Sequence, residues 1–215
     1  MDALSTSAAA GDGLVTQHCF QSMVARLVID PDFRDRVRVH GAIALNGDLT
    51  TLERERVIAI VSDKGLDATR TLHKSFRLTK LYTMLPLTRA LLGPDHLVRE
   101  ISSFWKAELP VSHYFIEEAM AFCDFLRNRI CSGLEIKYLE EIVAYERADL
   151  ELRRPRLNGD LPERQFVKFE HDPVTLFTQL MDGQSPQAVP PLSCFLVGSL
   201  SQEGQVQWHI STEGE

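Results

Sequence analysis

At 215 residues the chain is long enough for one substantial domain, or for one domain with a small satellite, and burying roughly two-thirds of its extended surface requires neither metal nor disulfide. Thirty Asp and Glu against 23 Lys and Arg leave a net charge of -7, so a nucleic-acid partner would need a local basic patch, because the chain as a whole repels phosphate. Cys19, Cys123, Cys131 and Cys194 form no CxxC, which disfavours structural zinc and suits a reducing cytoplasm, and the lack of a signal peptide or of the roughly 20 apolar residues that span a bilayer disfavours export and membrane insertion.

Met1 to Gly13 is small and polar and reads as a flexible tail. From Leu14 to Ile29, Phe20, Met23, Val24, Leu27 and Val28 fall on one helical face, and Asp30-Pro31 stops that helix and starts the next, with Phe33 and Val37 turned inward. Gly41 to Asp48 breaks the pattern. Thr50 and Glu53 have the spacing of a capping box, so a third helix follows, with Leu52, Val57, Ile60 and Val61 on its apolar face up to Gly65. A fourth helix is expected from Asp67 to Met84. Pro86 and Gly93-Pro94 divide the next stretch into a short helix, Leu87 to Leu92, and a longer one, Asp95 to Leu109. Ser112 is placed to cap a helix from Tyr114 to Arg129, and Gly133 separates this from a last long helix, Leu134 to Arg153.

After Arg154 the composition changes. Residues 155–162 read as a linker, Phe166, Val167 and Phe169 as a strand, and Asp172-Pro173 as the start of a short helix to Met181. Leu192 to Leu200 and Gln205 to Ile210 flank a Gly-containing turn and predict a hairpin. The expected fold class is therefore mainly α: a bundle-like helical domain over residues 14–154, then a small α/β subdomain over residues 163–215.

The sharpest local feature is a basic stripe. Arg70, Lys74 and Arg77 share a helical face that Lys80 extends, with Arg89 beyond, and no Asp or Glu lies between Thr69 and Gly93. Such a stripe suits an acidic partner, a carboxylate-rich peptide or a phosphate, or else faces solvent and the chain's own acidic helices. Phe104, Trp105, Tyr114 and Phe115 bracket Pro110 at a corner that is either core or a binding surface. Val206, Trp208 and Ile210 alternate on one strand face; at a sheet edge that strand would accept a peptide as an added strand.

Chemistry is harder to find. His113 and Glu117 sit four apart, with Glu141 and Glu146 on the next helix, yet the Glu-x-x-His pairs of a di-iron bundle, HExxH, a calcium loop, GxGxxG and a Walker loop are all missing. Ser22, Ser103 and Ser112 occupy no G-x-S-x-G elbow, and Cys123 between Phe122 and Phe125 reads as a small buried hydrophobe. No cofactor of its own and no catalytic residue are expected.

Four stretches resemble a bacterial family long labelled as DNA-binding domains: Leu85 to Gly93 (LPLTRALLG), Phe104 to Phe115 (FWKAELPVSHYF), Ala121 to Leu126 (AFCDFL) and Tyr138 to Ala148 (YLEEIVAYERA). The likeness covers Leu85 to Arg154, a third of the chain, and rests mostly on packing and turn residues. It implies a non-catalytic partner protein of a multinuclear non-heme iron enzyme with a TIM-barrel fold. The helical part would hold the enzyme, and the small α/β part would bind the leader of a ribosomally made precursor peptide in the bacterial cytoplasm. Two alternatives stand beside this reading. A transcription regulator would use Asp67 to Met84 as its recognition helix, and a haem- or iron-dependent enzyme would use His73 or His113.

Overall fold

A computed structural model of the protein describes residues 8–108, 114–155, 164–201 and 203–212. The fold is mainly α-helical and ends in a small α/β region, as expected from the sequence. In chain order the elements are α1 (Ala8–Ile29), α2 (Pro31–His40), a 3-10 turn (Gly41–Ala44), α3 (Thr51–Val61), α4 (Lys64–Met84), α5 (Pro86–Ala107), α6 (Phe115–Cys131), α7 (Leu139–Arg153), β1 (Gln165–His171), α8 (Pro173–Met181), β2 (Pro191–Leu200) and β3 (Val206–Ser211). Two compact units divide the chain, Met1–Phe76 and Arg77–Glu215. The boundary thus falls inside α4, and the later helices share a unit with the α/β region. Residues 156–163, which hold most of the expected linker, lie outside the described residues, as do residues 1–7 of the expected tail. Helix α1 begins at Ala8, inside that tail.

In the first unit the helix ends follow the capping logic of the sequence. Asp30 accepts the Phe33 amide at 2.9 Å, and Pro31 opens α2 where no donor is needed. Thr50 accepts the Glu53 amide at 3.2 Å while the Glu53 carboxylate accepts the Thr50 amide at 2.8 Å, completing the capping box. Leu27, Phe33, Val37, Leu45, Val57 and Val61 form the core these helices enclose.

The second unit is organised by α7. One set of its side chains, Leu139, Val143 and Leu150, joins Leu81, Leu97, Phe104, Phe122 and Leu126 in a helical core. Another set, Ile142 and Ala148, joins Val167, Phe169, Leu176, Leu180 and Leu196 in a core between helices and sheet. Helix α7 is therefore buried on two faces, and its acidic residues Glu141, Glu146 and Asp149 reach hydrogen-bond donors on neighbouring elements.

The sheet order is β1-β2-β3, antiparallel throughout, with Gln165 opposite Gly198 and Gly198 opposite Trp208. Both β1 and β3 are edge strands. Asp172 accepts the Val174 and Thr175 amides at 3.3 and 3.1 Å and so starts α8 as expected.

The break expected at Gly93-Pro94 is present: within α5, Gly93 has a φ of 65° and a ψ of 173°, which are not helical, so two helices meet there at a kink. Two boundaries differ from the sequence reading. The helix expected from Leu134 begins at Leu139, because Tyr138 is held in the left-handed region at φ 69° with its ring edge-on to His171, centroids 4.8 Å apart. Helix α6 begins at Phe115 with Tyr114 in the cap position and no side-chain cap bond, and Ser112, the expected cap, lies outside the described residues.

Gly198 is a point of close approach. A Cβ there would lie 2.6 Å from the Trp208 ring and 2.8 Å from Leu152 Cδ1, so even one methyl overpacks the contact between sheet and α7. Gly198→Ala is expected to cost roughly 1–3 kcal/mol in urea denaturation.

Candidate functional site

The basic stripe does not form one exposed face. Arg70 and Lys74 belong to the first unit, where Arg70 is paired with Asp67 at 3.3 Å and Lys74 is exposed. Arg77 and Lys80 belong to the second and are buried, at 5% and 2% exposure, which corrects their expected role as accessible docking charges. The cause is a buried carboxylate on α6: Glu118 accepts from Arg77 Nε at 2.6 Å, while the guanidinium lies 5.6 Å from the Phe104 ring and 5.3 Å from Trp105. Burial lowers the Lys80 pKa, Glu118 opposing the shift and Arg77 adding to it. A recognition helix needs its cations in reach of phosphate, and these two are committed to the interior.

The aromatic corner divides in the same way. Phe104 is buried against Phe122 and Phe125, with centroids 5.2 and 5.5 Å away, and Trp105 packs half-buried on that cluster. Tyr114 is 76% exposed. Trp208 points inward: its ring lies 4.9 Å from that of Tyr145, and its Nε1 donates to Asp149 Oδ1 at 3.0 Å. Half-buried, it anchors β3 on α7.

Several of the residues weighed for chemistry are buried or paired. Burial raises the Cys123 and Cys194 thiols, so neither is a ready thiolate. Glu117 holds Arg154 Nε at 3.0 Å. His113 lies outside the described residues, and among those described no three His, Cys, Asp or Glu side chains gather as a metal site. Burial, with Asp149 and Glu146 nearby, pushes the Tyr145 phenol up to about 12.

Glu146 is the buried carboxyl that joins two elements. From α7 it accepts the Leu87 amide at 2.7 Å and the Thr88 amide at 3.0 Å, the donors left open at the N-terminus of α5. Burial pushes its pKa up to about 7 against the pull of those donors, with Asp149 adding to the rise.

The second carboxylate of α7, Glu141, points to the sheet. Its Oε1 accepts the Glu170 and His171 amides at 2.5 and 3.2 Å, and its Oε2 lies 3.1 Å from His171 Nδ1. Register slips between Phe169 and His171, where His171 faces Pro191. Glu141 thus serves the amides at this irregularity.

A groove of about 920 Å³ runs beside β1, lined by Phe166 and Lys168 on the strand, Ala144 and Glu141 on α7, and Ile130 and Leu134 near the end of α6. It touches β1 at residues 165–168 and at Glu170 and His171. The Glu170 amide turns away from β2, and the two-residue alternation of a strand turns Lys168 and Phe166 the same way. Among the described residues no group accepts the amides of Phe166 and Lys168. Sequence reasoning put an edge at the Trp208 strand, and β3 is one; the groove described here lies beside the other edge strand, β1, because strand order is not written in any single strand's pattern.

Comparison with known proteins yields no match to a family model and no match among curated proteins.

Two substitutions test these assignments by stability. Glu118→Ala leaves Arg77 buried without its partner and is expected to cost about 3–5 kcal/mol, whereas Lys74→Ala on the exposed face should stay within about 0.5 kcal/mol, both measured by chemical denaturation. Because native Glu146 holds its proton more tightly than the unfolded chain, stability should fall as pH rises from about 4.5 to about 7 and level off above. The fall amounts to roughly 3 kcal/mol. Glu146→Gln, which does not titrate, should flatten that part of the profile; an unchanged profile would refute the assignment.

Proposed function

We propose that this chain is a non-catalytic partner protein that binds an extended peptide along the outer edge of β1 and presents it to an enzyme. One observation carries the reading: an edge strand whose Phe166 and Lys168 backbone groups open onto a groove with an apolar wall. Main-chain bonds to such an edge supply affinity for varied sequences, and a groove that receives alternate side chains supplies selectivity. Ile130, Leu134 and Ala144 suit apolar side chains there. The resemblance in sequence supplies the partners: a TIM-barrel non-heme iron enzyme and the precursor peptide it modifies. We assign the exposed Tyr114 and Lys74 to contact with the enzyme.

The test uses Lys168→Pro, which removes one outward amide while leaving the side of β1 that pairs with β2 untouched. Synthetic peptides selected on the full-length protein from a random phage library serve as probes, together with a TIM-barrel non-heme iron enzyme and a short peptide sought among the products of the neighbouring genes. Peptide affinity is expected to fall about tenfold or more in Lys168→Pro and to be retained in Lys168→Ala, which keeps the amide. The iron enzyme should co-purify with the chain, and modification of its peptide should drop in Lys168→Pro. Equal affinity for wild type and Lys168→Pro, or turnover by the purified chain alone, would overturn the reading.

A further inference from the structure

The edge of β1 is open over part of its length only. At its far end Glu141 reaches across from α7, 12% exposed, and takes two successive strand amides on one carboxylate oxygen. At Glu170, the next outward amide after Phe166 and Lys168, a side-chain oxygen thus stands where an added strand would place a peptide carbonyl, and it holds the His171 amide as well. Three neighbours fix that oxygen: the Glu170 amide, the His171 amide, and the His171 ring bonded to the second oxygen. The ring is in turn held edge-on by Tyr138, itself only 6% exposed. The chain direction is also set. Glu141 meets the end of β1, and Leu152 approaches Gly198, which pairs with Gln165 at its beginning, so α7 runs antiparallel to β1 along the groove.

We propose that Glu141 is a register stop: it occupies the hydrogen-bonding position at Glu170 and His171, so a bound segment pairs with Phe166 and Lys168 and must turn away before Glu170. This inference rests on the strand-addition reading and adds the class of segment that fits. That segment is a strand of roughly four residues, the length that two outward pairs on β1 can engage, followed by a residue that leaves the extended conformation. A longer uninterrupted strand gains nothing from its extra residues. Selectivity for a strand that ends comes from a carboxylate already bonded, since displacing it would strand a charge among atoms that cannot replace its bonds.

Amide exchange of the full chain, followed by NMR without and with a phage-selected peptide at saturation, reads the register directly. In the free protein the Glu170 and His171 amides should exchange slowly, and those of Phe166 and Lys168 fast. Peptide should slow Phe166 and Lys168 at least tenfold and leave Glu170 and His171 unchanged. In Glu141→Ala the two end amides should exchange fast in the free protein, and bound peptide should extend protection to Glu170; Glu141→Gln, which keeps one acceptor oxygen, should behave as wild type. Should Glu141→Ala fail to fold, the wild-type footprint decides alone. Slowing of Glu170 by peptide as large as that of Lys168 in wild type, fast exchange of Glu170 in the free protein, or a footprint in folded Glu141→Ala that still ends at Lys168 would overturn the stop while leaving strand addition intact. Protection of neither Phe166 nor Lys168 by any selected peptide would overturn strand addition itself, and the stop with it.

Discussion

The second unit depends on one buried carboxyl meeting one helix end. Helix α5 starts at Pro86 behind an apolar Leu85, so no local side chain can satisfy its first free amides. Glu146 does so from α7, at a separation of 59 residues from Leu87 in the chain. A single hydrogen-bonded carboxyl in an apolar surround tolerates little sliding or rotation, because an unmet buried amide costs about 1–3 kcal/mol. Fixing α5 on α7 fixes the cleft into which the aromatic residues of α6 pack, and α7 then presents its other side to the sheet. Glu141, Asp149 and Leu152 meet the sheet at separate points along the same helix: the end of β1, the Trp208 indole on β3, and Gly198 on β2.

What was legible in the sequence was whatever is decided locally. Asp30-Pro31, the Thr50 and Glu53 pair, and Asp172-Pro173 each start a helix because the atoms that cap it lie within three residues. The hairpin of β2 and β3 was equally plain, since a Gly turn between two alternating runs defines it. The kink at Gly93 was seen as a break because a Gly-Pro pair interrupts a helix in any context. By contrast, the start of α7 slipped by five residues: Leu134 to Tyr138 have helical composition, and the left-handed turn at Tyr138 is set by its ring meeting His171, far away in sequence.

The candidate site was less legible for the same reason. Arg70, Lys74, Arg77 and Lys80 have perfect helical spacing, and spacing gives a shared face without saying what covers it. Glu118 covers two of them. Trp208 was placed correctly on a strand, yet its burial depends on Tyr145 and Asp149 in α7. Glu141 and Glu146 both stood out as carboxylates on one helix and were weighed as metal ligands. Five residues apart, they point in different directions, and each is spent on backbone amides of a different element. The groove beside β1 needs α6, α7 and β1 at once, so no single stretch of sequence carries its signature.

The double burial of α7 also determines how the protein comes apart. A helix that completes one core with Leu139, Val143 and Leu150, and another with Ile142 and Ala148, cannot lose either neighbour without baring an apolar flank to water. The helices from α5 onward and the sheet therefore belong to a single foldon, melting together rather than in sequence. Cutting the chain after Arg154 would yield neither a helical domain nor an autonomous peptide-binding module, but two aggregation-prone halves, each missing the same wall.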